Sequence, residues 1–246
     1  MIVLYYLKFA VLLSGLLLLF LLPNWTESVD TVDISILARI INFFELNYKR
    51  VDANGHPRQY AVAINVPKRQ CQQNFDPDHF LTRENAENVR NAITDETNGV
   101  YQGVELIAAG TRFRNRYNLH SESLLLNPPG NSSMSNLLNR IPDSCSIFYT
   151  FDSPCVDSCL NATRGHNILR ALESWKNHSG IKAFVFKNIW KFDSDKDLET
   201  KFKQIVVNIP LYRCVSENQC YACNGEGNTT MDARCLTEIN QILFSG

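Results

Sequence analysis

His120-Ser-Glu122 and Ser153-Pro-Cys-Val-Asp-Ser-Cys159 gather, about thirty residues apart, the side chains best suited to metal-assisted proton chemistry. An imidazole and two thiols are donors for a borderline-soft divalent cation, and a carboxylate carries protons. Each piece stands at the start of a predicted helix that follows a predicted strand. The other histidines, His56, His79, His166 and His178, have polar neighbours and no ligand spacing.

The elements that must position these pieces follow from hydrophobic periodicity. Residues 33–48 (DISILARIINFFELNY) carry apolar side chains at helical spacing behind an Asp or Thr cap. Residues 59–67 (QYAVAINVP) read as a strand stopped by Pro67, and 104–113 (VELIAAGTRF) as a second strand. Residues 76–98 are polar with helical stretches, and 118–126 form a short helix ended by Asn127-Pro-Pro-Gly130. A third strand over 144–151 (SCSIFYTF) runs into the cysteine piece, from which a helical run extends to about Trp175. Residues 182–190 give a fourth strand, 195–204 a helix, 205–212 an extended piece and 237–244 a last helix. Strands alternating with helices predict a three-layer α/β fold, a mixed sheet with helices on both faces.

Composition bounds the rest. The 246 residues suit one main domain; 45% apolar and 20% charged content excludes a disordered polymer, and a net charge of −1 excludes a basic coat for nucleic acid duplexes. From Ile2 to Leu22 the one charge is Lys8, which reads as a signal peptide over 1–28, or as a type II signal anchor; either puts the remainder outside the cytosol. A cleaved signal leaves no stable membrane association. Glycosylation sequons at Asn24, Asn131, Asn161, Asn177 and Asn228 agree with export.

The two chemical pieces together resemble zinc deaminases, whose signature is H-x-E followed by P-C-x-x-C. With Tyr149-Thr-Phe-Asp-Ser-Pro-Cys155 and the surrounding strand order, residues 58–210 are similar to the cytidine-deaminase superfamily, nearer its AID/APOBEC-like branch. The export signal and sequons are similar to those of the secreted AID/APOBEC-like deaminases of fishes, which points to defence. The resemblance implies a central sheet of about five strands with two zinc-bearing helices packed beneath it. It also implies Zn²⁺ held by His120, Cys155 and Cys159, and Glu122 as the proton carrier in hydrolysis of an exocyclic amine of a nucleobase. Three residues, not two, separate the cysteines here. On a helix, positions i and i+4 share a face, so the sulfurs can still converge, and a helix N-terminus would lower thiol pKa values.

That branch acts on cytosine in single-stranded nucleic acid. Arg112, Arg114, Arg116 and Tyr117 interleave charge and rings as a single strand requires, or else form an edge strand protected from aggregation. Asn65, at a strand end where some relatives place a sugar-contacting Asn, is a further candidate. Cys71, Cys145, Cys214, Cys220, Cys223 and Cys235 remain for up to three disulfides, with fifteen connectivities. The last four could instead bind a structural zinc; Cys220-x-x-Cys223 could suggest redox exchange, but the βαβ context for that is missing. A deaminase-like domain over 29–213 with a Cys-rich extension over 214–246 results. The alternatives to a nucleic acid or nucleotide deaminase are a free-nucleoside deaminase and a glycosylated binding module that keeps zinc structurally; the intact Glu122 argues against the module.

Overall fold

The computed structural model describes residues 31–73, 75–114, 117–224 and 229–238. The signal segment 1–28 with Asn24, and also Arg116 and Asn228, lie outside the described residues. So does the helix expected over 237–244, apart from Thr237 and Glu238.

Helix α1 (Ile34–Asn47) opens on Asp33, whose carboxylate accepts the Ser35 and Ile36 N–H groups at 2.8 and 3.0 Å. Its buried stripe of Ile36, Leu37, Ile40, Ile41 and Phe44 recurs at helical spacing, and each such side chain contributes about 1.5–3 kcal/mol by leaving water. Strand β1 (Tyr60–Val66) is buried along its whole length, as a central strand covered on both faces must be. After it come α2 (Ala86–Thr94), β2 (Val100–Gln102), β3 (Leu106–Gly110), the β4–β5 hairpin (Arg112–Arg114, Tyr117–Leu119), α3 (Ser121–Leu126) and α4 (Ser133–Leu138). Then follow β6 (Ser144–Asp152), α5 (Leu169–Lys176), β7 (Gly180–Asn188), α6 (Leu198–Val206), β8 (Leu211–Ser216) and β9 (Gln219–Ala222).

The main sheet has the order β2-β3-β1-β6-β7-β8-β9. Five strands, β3-β1-β6-β7-β8, form its body; β2 and β9 are short edges of three and four residues. Strands β6, β7 and β8 are parallel, and β1 runs against β6. Gly180, at φ +100°, lets β7 start against β6 where a Cβ would run into the Ser144 carbonyl.

Alternation sorts the sheet into three layers. Tyr60, Val62, Ile64, Ile147, Tyr149 and Val185 join the core beneath α1 and α2, while Ala61, Ala63, Ala109, Phe148, Phe184 and Phe186 join that beneath α3 to α6. The alanines bring α3 close to the sheet. Because β1 is antiparallel to β6 and β7 is parallel to it, the start of β1 and the ends of β6 and β7 meet at one end of the sheet, with Ala61 opposite Thr150 and Asp152 opposite Asn188.

Several expectations are corrected. Residues 112–114 and 117–119 pair as antiparallel strands, not as the end of one strand and the start of a helix. Residues 205–206 still belong to α6, and the strand begins at Leu211. The division at residue 214 falls inside β8, so the first residues of the Cys-rich segment are part of the sheet. All six remaining cysteines pair: Cys71–Cys145 ties the exit of β1 to the start of β6, Cys214–Cys220 spans β8 and β9, and Cys223–Cys235 closes the segment after β9. This pairing leaves neither a four-cysteine zinc cluster nor a Cys220–Cys223 dithiol. Among the described residues no helix is long and apolar enough to cross a membrane.

Candidate metal centre

His120 is the N-cap of α3, with its carbonyl accepting the Leu124 N–H at 3.0 Å, so the helix start aims the imidazole across the end of the sheet. Cys155 and Cys159 follow β6 directly. They do not lie on a helix: residues 156–160 form a turn in which the Leu160 N–H reaches the Cys155 carbonyl at 3.1 Å, and α5 starts only at Leu169. The expected helix N-terminus beneath the thiols is therefore absent. A span of i to i+5 accommodates the extra residue between the cysteines and turns both sulfurs the same way.

Cys155 Sγ lies 3.6 Å from His120 Nδ1 and 3.6 Å from Cys159 Sγ, and the three donors fall within 4.8 Å of one another. A tetrahedral Zn²⁺ with ordinary Zn–S and Zn–N lengths needs sulfurs about 3.8 Å apart and a sulfur–nitrogen separation of about 3.6 Å. The donor set fits. Two thiolates and a neutral imidazole would offset the charge of such a dication and, as a three-donor set, would leave room for water or substrate. These are the free cysteines among the described residues, and both are buried.

The electrostatics favour a thiolate here. Hydrogen bonds from Cys159 and then from His120 bring the Cys155 thiol down to about 4. The bond to Cys155 raises the His120 imidazole to about 9, and the same sulfur pushes Cys159 upward. Glu122, 1% exposed, is raised by burial.

Three neutral groups hold the Glu122 carboxylate. Gln59 Nε2 donates to its Oε1 at 2.9 Å, and Ser121 Oγ donates to its Oε2 at 3.1 Å. Thr150 Oγ1 stands 2.9 Å from Oε1 and 2.9 Å from the Asp152 carbonyl, with one proton to give. Gln59 also donates to Thr150 Oγ1 at 2.8 Å and accepts the Asp152 N–H at 2.8 Å, joining β1 to the end of β6. Trp190 meets His120 edge-on at 6.5 Å and packs against Phe192, which is exposed. Gln59 and Trp190 lie outside the sequence motifs, because their place depends on strand register; Ser121 and Thr150 stand within them, but their bonds to the carboxylate show only in the fold.

Other predicted site residues lie elsewhere. Asn65 is buried near the far end of β1, where its Nδ2 donates to the Leu137, Leu138 and Ile141 carbonyls at 3.0, 3.3 and 3.1 Å and its Oδ1 accepts from Ser144. It caps the end of α4 and has no donor left for a sugar. Arg112 spends its guanidinium on the Asn98 carbonyl and side-chain oxygen, while Arg114 is exposed on the hairpin leading to His120. Of Arg116 and the side chain of Tyr117 nothing is described. Among the sequons, Asn131 and Asn177 are exposed; Asn161 is half-buried with its Oδ1 accepting from the Thr163 N–H at 3.1 Å and hydroxyl at 2.8 Å.

A family model described as Secreted Novel AID/APOBEC-like Deaminase 1 matches residues 35–239, most of the chain. No curated protein and no solved structure gives a match.

Proposed function

The chain belongs to the family of secreted AID/APOBEC-like deaminases that this model describes, and from that premise we propose that it is a zinc-dependent hydrolytic deaminase acting on the exocyclic amine of a nucleobase, cytosine in nucleic acid or nucleotide. The convergence of His120, Cys155 and Cys159 beside a buried Glu122 carries this reading. Bound there, Zn²⁺ would supply Lewis acidity that makes water nucleophilic near neutral pH. Glu122 takes one proton from the attacking water and passes it to the ring nitrogen, then takes the second proton from the hydroxyl so added and passes it to the amine, which leaves as ammonia. Its burial, which raises its proton affinity, suits a group that must both accept and release a proton. Gln59, Ser121 and Thr150 fix the carboxylate, and Trp190 with Phe192 gives a flat base an aromatic wall beside the cluster.

Export to an oxidising compartment is part of this proposal, supported by three disulfides, the apolar N-terminal run and the sequons. So are the glycans, and Asn131 and Asn177 offer exposed carboxamides for them. A net charge of −1 favours a second reading, a free nucleoside as substrate, since polyanions are gathered by basic surfaces.

Metal analysis of the exported protein is expected to find about one zinc per chain. Glu122→Gln is expected to keep metal and fold and to lose ammonia release. Single-stranded DNA, RNA and free cytidine, each incubated with the protein and analysed for uracil or uridine, divide polymer from nucleoside. A chain that binds no zinc, or a Glu122→Gln variant with undiminished turnover, refutes the proposal.

A further inference from the structure

No helix holds the two cysteines, yet their sulfurs must keep a fixed separation, so something outside the turn has to set its shape. The segment 153–157 is attached at four points to the last residue of β7 and the stretch after it. The Ser153 N–H donates to the Asn188 carbonyl at 2.7 Å, and Ser153 Oγ accepts the Trp190 N–H at 3.0 Å. Within the interval between the cysteines, the Val156 N–H donates to Asp193 Oδ2 at 2.8 Å. Lys196 Nζ then bridges Asp193 Oδ1 at 2.7 Å and Asp157 Oδ2 at 2.6 Å.

Asp193 is 1% exposed, and a carboxylate is buried to this extent only when it is paired and hydrogen-bonded. Here one oxygen holds the backbone of the turn and the other holds the cation that also grips the turn's exposed carboxylate. Both partners, Val156 and Asp157, lie among the three residues that separate Cys155 from Cys159. Hydrogen bonds from groups behind the ligands fix ligand orientation, and their loss costs metal affinity.

We propose that Asp193 and Lys196 are positioning residues for the metal centre: they clamp the three-residue interval of the turn so that the two sulfurs meet the imidazole. The proposal rests on the zinc reading of the cluster. It assigns the stretch after β7 a part in metal binding although it supplies no ligand, and it accounts for convergence of two cysteines on a turn longer than the two-residue spacing.

The test uses the full exported chain and two readouts that need no substrate. Competition with a chromophoric chelator gives the Zn²⁺ affinity, and Co²⁺ substitution gives the visible spectrum of a tetrahedral two-sulfur site. Asp193→Ala is expected to weaken Zn²⁺ binding by about 10–100-fold, and Lys196→Met by less, because the Val156 bond survives. Both variants are expected to change the cobalt absorption, which a general loss of stability would leave alone in the folded fraction. Should Asp193→Ala fail to fold, Lys196→Met and Asp193→Asn decide. Wild-type affinity and an unaltered cobalt spectrum in the folded variants overturn the clamp and leave the zinc reading standing. A wild-type chain that binds neither metal overturns both.

Discussion

Replacing Gln59 by Leu tests whether the polar cradle around Glu122 sets its proton affinity. Gln59 Nε2 donates to Glu122 Oε1 at 2.9 Å, and the carboxylate is 1% exposed, so this bond acts on a charge that water scarcely reaches. A hydrogen bond to a charged group is worth about 1.5–3 kcal/mol, and one pKa unit corresponds to about 1.4 kcal/mol. Losing it from the ionised form alone therefore raises the carboxyl by about one to two units. Gln59 is half-buried, so an entering water can replace part of the bond, which favours the lower figure. The sign is fixed: the side chain stabilises the ionised carboxylate, so its removal adds to the elevation that burial already imposes. In the pH dependence of kcat/KM, the limb on which activity rises with pH is expected to move upward by about one unit, with zinc content unchanged. A limb that stays in place, or moves down, refutes the assignment of Gln59 to Glu122.

Removing Cys71–Cys145 by Ala substitution at both positions opens a loop of 74 residues and is expected to cost about 4 kcal/mol at 25 °C; equal denaturant midpoints for variant and wild type would contradict it. Asp152 is raised from 3.8 to about 6 by burial, so the folded chain holds more protons than the unfolded one between these values and stability falls as pH rises through them. Asp152→Asn is thus expected to stabilise the protein at pH 7.5 by at most about 3 kcal/mol and to have little effect at pH 3, as read by urea unfolding. Asn65→Ala is expected to cost about 2–3 kcal/mol through unpaired carbonyls at the end of α4 while metal content and turnover stay intact. Lost turnover without lost stability would return Asn65 to the active site.

The strands of the sheet body were legible because their apolar runs are long and bounded by turn residues; Tyr60–Val66 and Ser144–Asp152 fall within a residue or so of the expected ranges. The short edges β2 and β9 carry too few residues for a period to show. His120, Glu122, Cys155 and Cys159 were legible as chemistry, and the structure brings the three donors together. The conformation beneath the cysteines was not, because an i to i+4 spacing serves a helix and a wider turn alike. Asn65 illustrates the opposite failure: its strand shows in the apolar run, but the use of its carboxamide depends on α4, whose six residues are too few for a helical period to show.

What remained hidden shares one physical cause. Gln59, Thr150 and Asp193 are 63, 28 and 37 residues from the groups they hold, Glu122 for the first two and Val156 for the third. No local pattern encodes such distances; the antiparallel pairing of β1 with β6 and the parallel pairing of β6 with β7 do. Together those pairings bring the first residue before β1, the last residues of β6 and the loop after β7 to one end of the sheet. The same register that places Gln59 over Glu122 leaves Asn65, six residues further along β1, about 20 Å away at the other end. A slip of one residue between β1 and β6 would reverse the facing of Ala61 and Ala63 against α3, fill the space the helix occupies and separate the imidazole from the sulfurs. The His120, Cys155 and Cys159 cluster is therefore a property of strand register, and the small side chains under α3 matter to it as directly as the three donors do.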